Sequence, residues 1–93
     1  MNWIEIITIR LSKQENTPRV LDIIRDIKAA QNGPSKNSVS INLYQNKGIE
    51  SDWTIHLGKN SPGEQAEKSQ LGQVIIETFR PFGLVNHSIW ERR

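Results

Sequence analysis

The sequence predicts an α+β fold in which strands and helices follow the order β-α-β-β-α-β. Two strictly alternating segments separated by a turn indicate a central hairpin, and an amphipathic helical segment lies on each side of that hairpin. An isoleucine-rich strand begins the chain and a mixed strand ends it. Because 93 residues leave no room for a second hydrophobic core, residues 1–93 are predicted to form a single domain.

The first strand is predicted over Trp3–Leu11, where apolar residues fall on both alternating faces. One face carries Trp3, Ile7, Ile9 and Leu11, and the other carries Ile4 and Ile6. This pattern is typical of a central strand that is covered on both sides.

The two helices are recognised by their termini and by their apolar stripes. The first is predicted over "TPRVLDIIRDIKAAQNG", with Thr17 as its N-cap, Pro18 at its first helical position and Gly33 at its end. Its predicted stripe consists of Val20, Leu21, Ile23, Ile24, Ile27 and Ala30. The second is predicted from Ser69 to Arg80, followed by Pro81 and Gly83. Its predicted buried side consists of Leu71, Val74, Ile75 and Phe79.

The hairpin strands are predicted over residues 38–45 and 52–58, joined by a turn at 46–48, and the last strand over 84–91. One face of the hairpin carries Val39, Ile41, Leu43, Trp53, Ile55 and Leu57. The other carries Ser38, Ser40, Asn42, Tyr44, Asp52, Thr54 and His56. The apolar set is predicted to pack beneath the helices.

Right-handed crossovers and a central hairpin favour a ferredoxin-like sandwich, with an antiparallel sheet in the order 4-1-3-2 and both helices on one face. Two helices cover only one face, although the first strand brings apolar side chains to both. A second copy packing sheet to sheet would cover the remaining face and enclose a cavity. The sequence therefore predicts a homodimer in the form of a dimeric α/β barrel.

The strings "WIEIITIR", "DWTIHL", "SQLG" and "FGLVNHSIW", in this order, resemble those of small dimeric α/β-barrel proteins. Within that superfamily the chain is similar to compact relatives of the antibiotic biosynthesis monooxygenase domains. The resemblance implies a dimer with a pocket between its sheets and, in some members, cofactor-free oxygenation of phenolic compounds. Haem-degrading members carry Trp and His on the second helix, but residues 64–80 contain neither.

The cofactor-free oxygenases surround their pocket with Asn, Trp, Tyr and Arg. The residues of these kinds are Asn42, Tyr44, Asn86 and Trp90, although no position-by-position match is evident. Thr54 and His87 complete the predicted ligand-binding set.

His56 is the predicted catalytic base, because an imidazole titrates near neutral pH and could take a proton from a phenol. Tyr44, on the same predicted face, could orient a substrate oxygen. The structural alternative is that His56 only hydrogen-bonds across the sheet or the dimer seam, to Thr54 or Asp52. Asp52 itself is expected to be a turn residue.

The sequence leaves open two interpretations of where His87 lies. If the Asn86 face lines the pocket, His87 lies beneath the helices as a core histidine. If the faces are reversed, His56 and His87 share a cavity and, with Asp52 or Glu5, would suit iron or zinc. The spacing matches no metal motif, so neither a metal nor a cofactor is predicted. Glu5 is expected in an ion pair with Arg10, with an arginine of a second subunit or with His56.

Composition narrows the class of partner. The 12 basic and 10 acidic side chains give a net charge of only +2 and are scattered, and the third strand lacks an RNA-binding motif. Nucleic acid and membrane partners are therefore not expected. The N-terminal segment lacks the basic residues that begin a signal peptide, and its apolar run is interrupted by Glu5 and Arg10. The chain also has no cysteine and so can form no disulfide. A cytoplasmic location is therefore expected.

The function predicted from the sequence is a homodimer with a pocket on its sheet face. As an enzyme it would be a cofactor-independent monooxygenase acting on a small aromatic or phenolic compound. The alternative is a non-enzymatic dimer that binds a small ligand or has a regulatory role.

Overall fold

A computed structural model describes residues 3–31, 40–59 and 69–91. Its elements are β1 (Trp3–Leu11), α1 (Thr17–Gln31), β2 (Ser40–Gln45), β3 (Asp52–Lys59), α2 (Gln70–Phe79) and β4 (Gly83–Glu91). Short 3₁₀ turns at Gln14–Asn16 and Arg80–Phe82 precede α1 and follow α2. The predicted order of elements is confirmed. The expectations for Gly33, Ser38 and Val39 fall outside the described residues.

The four strands form one antiparallel sheet in the order β2-β3-β1-β4, which is the predicted order counted from the other edge. β1 lies in the interior and pairs with β3 and β4 along its length, so that Ile7 faces Ile55 on one side and His87 on the other. β2 pairs only with β3, and Asn42 faces His56 there. Every residue of the sheet is thereby assigned to one of two faces.

The hydrophobic core lies between one face of the sheet and both helices. The sheet contributes Ile7, Ile9, Leu11, Ile41, Trp53, Ile55 and Leu57, and the helices contribute Val20, Ile24, Ile75, Ile76 and Phe79. Ile7, Ile55, Ile75 and Phe79 have no exposed surface. Since α1 and α2 pack on the same face, the predicted arrangement of two helices over one side of the sheet is confirmed among the described residues.

The start of α1 differs from the prediction. Thr17 has helical backbone angles, φ −53° and ψ −47°, and its hydroxyl donates to the carbonyl of Gln14 at 2.8 Å. It is therefore not an N-cap, because the preceding 3₁₀ turn leads directly into the helix. Leu21 and Ala30 are exposed rather than part of the buried stripe. Leu21 lies about 100° around the helix from the buried Val20 and so points away from the sheet.

α2 is rotated relative to the prediction. Ser69 is its N-cap and accepts a hydrogen bond from the backbone N–H of Gly72 at 2.9 Å. The buried positions are Gly72, Ile75, Ile76 and Phe79. Val74, expected in the core, is 52% exposed. The buried set follows the i, i+3, i+4, i+7 spacing of one helical face, and that face excludes Val74.

The entry into β4 depends on a close backbone approach. A Cβ atom at Gly83 would overlap the backbone carbonyl of Arg10 and would lie 3.0 Å from the Cα of Leu11. Only glycine lets the chain come this close to β1 as β4 begins.

Among the described residues, no helix combines the length and the apolar character needed to cross a membrane.

Candidate functional site

The sheet face opposite the helices, called the open face below, carries the candidate site. No described helix covers it. Its side chains are Ile4, Ile6, Thr8 and Arg10 of β1, Ser40, Asn42 and Tyr44 of β2, Asp52, Thr54 and His56 of β3, and Leu84, Asn86, Ser88 and Trp90 of β4. All the predicted site residues except His87 therefore lie on this face. Tyr44, Leu84 and Trp90 are exposed over 52%, 71% and 60% of their surface.

One end of the open face forms a cavity of about 560 Å³, called the sheet-face groove below. Its open-face side chains are Thr8, Arg10, Tyr44, Asp52, Thr54, Leu84 and Asn86. The structure thus brings together three of the predicted residues, Tyr44, Thr54 and Asn86. His56 and Asn42 lie in the next cross-strand row, outside the lining, and Trp90 lies at the other end of the face.

The groove also contains an ion pair that the sequence analysis did not predict. Arg10 Nε donates to Asp52 Oδ1 at 2.7 Å and Arg10 Nη2 donates to Oδ2 at 3.0 Å. The expected pairing of Arg10 with Glu5 is wrong, because these residues lie five positions apart on one strand and point to opposite faces. Asp52 is more than a turn residue, since its carboxylate holds the guanidinium over the sheet.

The Arg10–Asp52 pair predicts a pH dependence of stability. Hydrogen bonds from Arg10 and its positive charge lower the pKa of Asp52 below its ordinary value. A lowered folded-state pKa adds stability above the ordinary aspartate pKa of about 4, and that contribution is lost as the pH falls through the folded-state value. In thermal unfolding, the wild type should therefore have a higher melting temperature than Asp52→Asn at pH 7, and this difference should disappear below about pH 4. A difference in melting temperature that does not depend on pH would contradict this prediction.

His56 lies beside Tyr44, with ring centroids 4.9 Å apart and planes inclined by 52°. Neither expected hydrogen-bond partner contacts it: Asp52 is bound to Arg10, and the buried Thr54 hydroxyl has no partner among the described residues. Glu5, which the sequence analysis offered as a partner of His56, is bound to His87 instead. His56 therefore stands on the open face as an aromatic neighbour of Tyr44.

His87 occupies the opposite face, beneath α2. Its Nε2 lies 2.7 Å from Oε2 of Glu5, and the two side chains are only 8% and 2% exposed. The reading in which His56 and His87 share a cavity is therefore wrong, because β4 turns Asn86, and not His87, toward the open face. Glu5 pairs with neither Arg10 nor His56. His87 also borders a groove between α2 and β4.

A glycine makes room for the Glu5–His87 pair. A Cβ atom at Gly72 would overlap the Glu5 carboxylate and lie 2.9 Å from Cε1 of His87. The sequence does contain a signal for this contact, a glycine in the first turn of an amphipathic helix, but that signal does not identify the residues that the glycine contacts. Across the described ranges, no three His, Asp or Glu side chains are grouped to hold a metal ion.

Comparison with known protein families and with characterised proteins found no match to this sequence.

Proposed function

We propose that the chain binds a small aromatic or phenolic compound in the sheet-face groove, and that a second copy of the chain covers the open face around it. The observation that carries this proposal is the groove itself, which combines an exposed tyrosine ring with several neutral hydrogen-bonding groups. Ligand sites typically combine aromatic or apolar surface with polar groups that orient the ligand.

The chemistry of the groove favours a planar ligand. The half-exposed ring of Tyr44 offers a surface on which an aromatic ring can stack. Thr8 and Asn86 face each other across β1 and β4, on the side of the groove away from Tyr44. Their hydroxyl and amide groups can bond to a phenolic hydroxyl or a carbonyl oxygen. A hydroxylated aromatic compound therefore suits the two sides of the groove.

A second copy is the proposed cover of the open face. Trp90 is largely exposed at one end of this face, beside the half-buried Ile4 and Ile6 of β1, and Leu84 is largely exposed at the other end. Large exposed apolar side chains grouped on one face of a small domain mark an interaction surface. A two-fold contact would bury the same residues on both copies and would place each groove against the partner's sheet.

A second candidate function is the cofactor-independent monooxygenase, which the position of His56 beside Tyr44 favours. His56 would accept the proton of a phenol, and the resulting anion would react directly with dioxygen. One oxygen atom would enter the substrate as a carbonyl and the other would leave as water, with the substrate supplying the electrons. This candidate requires a ligand that reaches from the groove to the adjacent row.

Ligand binding is tested by thermal unfolding of the purified chain with 2-naphthol, a quinol or haem. We expect 2-naphthol to stabilise the wild type, by about 2.7 kcal/mol at a hundred times the dissociation constant. Tyr44→Ala should lose this effect, and Gln73→Ala, on the exposed side of α2, should keep it. Retention in Tyr44→Ala, or no stabilisation of the wild type, would refute the groove as the site.

Two further measurements separate the remaining parts of the proposal. Sedimentation should give the dimer mass for the wild type and the monomer mass for Trp90→Asp, and a wild-type monomer would refute the covered face. Oxygen uptake with a stabilising phenol, abolished by His56→Ala while binding persists, would identify the oxygenase. Binding without uptake would identify a non-enzymatic binder.

A further inference from the structure

We infer that Asp52 sets the charge selectivity of the sheet-face groove: by neutralising Arg10, it makes the groove select neutral aromatic ligands over aromatic carboxylates. The inference rests on the proposed function, because it concerns the ligand of the same groove. It assigns a specificity-determining role to a pair that would otherwise be an ordinary surface ion pair.

The geometry of the pair occupies one whole edge of the guanidinium. Arg10 and Asp52 face each other across β1 and β3. Both carboxylate oxygens are engaged, one by Nε at 2.7 Å and the other by Nη2 at 3.0 Å. This bidentate arrangement is the one that a ligand carboxylate would itself adopt with an arginine. Asp52 thus takes the Nε–Nη2 edge, one of the two edges at which an anionic ligand could bind the guanidinium.

Asp52 is the fixed member of the pair. Its backbone N–H donates to the carbonyl of Ile49 at 3.0 Å, and its own carbonyl accepts from the N–H of Asn46 at 2.8 Å. Its side chain is 21% exposed, whereas that of Arg10 is 63% exposed. The turn therefore fixes the backbone of Asp52, and the short carboxylate side chain that extends from it binds the longer and more exposed arginine.

Among the described residues, the lining of the groove carries no net charge. Arg10 and Asp52 are its only charged side chains within those ranges, and the other polar side chains there are amides and hydroxyls. A ligand carboxylate must either displace Asp52 from Arg10 or lie close to a second negative charge, and both are unfavourable. A neutral ligand with a hydroxyl or carbonyl group meets neither obstacle and can bond to the remaining donors.

The test compares two probes of nearly the same shape, 2-naphthamide and 2-naphthoate, at pH 7. Binding is followed by NMR titration of the backbone amides of Thr8 and Asn86. We expect the wild type to bind the amide at least about tenfold more tightly than the carboxylate. Asp52→Asn should tighten 2-naphthoate binding about tenfold, because the freed guanidinium offers two charge-assisted hydrogen bonds, and should change 2-naphthamide binding little.

Two variants control for charge and for the guanidinium. Asp22→Asn removes a carboxylate from the Arg25–Asp22 pair on α1, with the same change in net charge, and should keep the wild-type preference. The double variant Arg10→Gln, Asp52→Asn should lose the gain in 2-naphthoate binding.

The outcomes distinguish the inference from the proposed function. If both probes bind but Asp52→Asn leaves their ratio unchanged, or Asp22→Asn changes it equally, the charge-selectivity inference is overturned while ligand binding stands. If neither probe perturbs the groove in any variant, both the inference and the proposed function are overturned. A preference for the amide that is lost in Asp52→Asn and kept in Asp22→Asn supports both.

Discussion

Replacing Glu5 with alanine should lower the free energy of unfolding by about 1–3 kcal/mol, because it leaves the largely buried His87 side chain without its hydrogen-bond partner. Glu5 is 2% exposed and the His87 side chain 8% exposed, so water cannot readily replace the lost contact. Burying an unpaired polar group is what makes the loss large, rather than the strength of the pair itself. Urea unfolding monitored by tryptophan fluorescence measures the effect.

Three variants control the Glu5 prediction. Glu5→Gln keeps a hydrogen-bonding group beside His87 and should lose less stability than Glu5→Ala. Glu77→Ala removes an exposed glutamate that pairs with Arg80 at 3.1 Å, and should cost less than about 1 kcal/mol. Replacing both partners, as in Glu5→Leu with His87→Leu, should recover much of the loss, because no polar group is then left unpaired. A loss for Glu5→Ala no larger than that for Glu77→Ala would contradict the prediction.

The division of the strands into two faces could be predicted from the sequence, because side chains alternate strictly along a strand. Trp53, Ile55 and Leu57 pack beneath the helices and His56 lies opposite, as the alternation in β3 indicates. The order of the sheet followed from the element order and the handedness of the crossovers. These rules act locally or through topology, and need no knowledge of individual contacts.

The pairs in the candidate site could not be predicted in the same way. Glu5–His87 and Arg10–Asp52 depend on the register between strands far apart in the chain, which the alternation within each strand does not fix. The alternation did contain one usable signal, since Glu5 and Arg10 must point to opposite faces of β1. The groove likewise lies where the ends of four strands meet, so its presence could not be predicted from the sequence of any one strand.

Which face of α2 packs against the sheet also could not be predicted from the sequence of the helix alone. Val74 and Ile76 are both β-branched and apolar, so hydrophobicity alone does not decide which of them faces the sheet. The structure buries Gly72 and Ile76 on the face that covers the Glu5–His87 pair and leaves Val74 exposed. The smallest residue of the helix is thus placed over the polar pair in the core.

Replacing Gly72 with alanine should therefore destabilise the chain, although alanine is the better helix former by about 1 kcal/mol. The added methyl group would overlap the Glu5 carboxylate and press on the His87 ring, so α2 or the pair must shift. Overpacking of this kind typically costs about 1–3 kcal/mol. Urea unfolding should show a net loss for Gly72→Ala and no comparable loss for Gln73→Ala, one position along the exposed side.

A double-mutant cycle assigns the effect of Gly72→Ala to its cause. In a Glu5→Ala background the carboxylate is absent and the His87 ring can move into the space it leaves, so the penalty for the methyl group at position 72 should fall. A penalty of equal size in both backgrounds would place the strain elsewhere in α2. A Gly72→Ala chain more stable than the wild type would show that the helix can move away from the pair without loss.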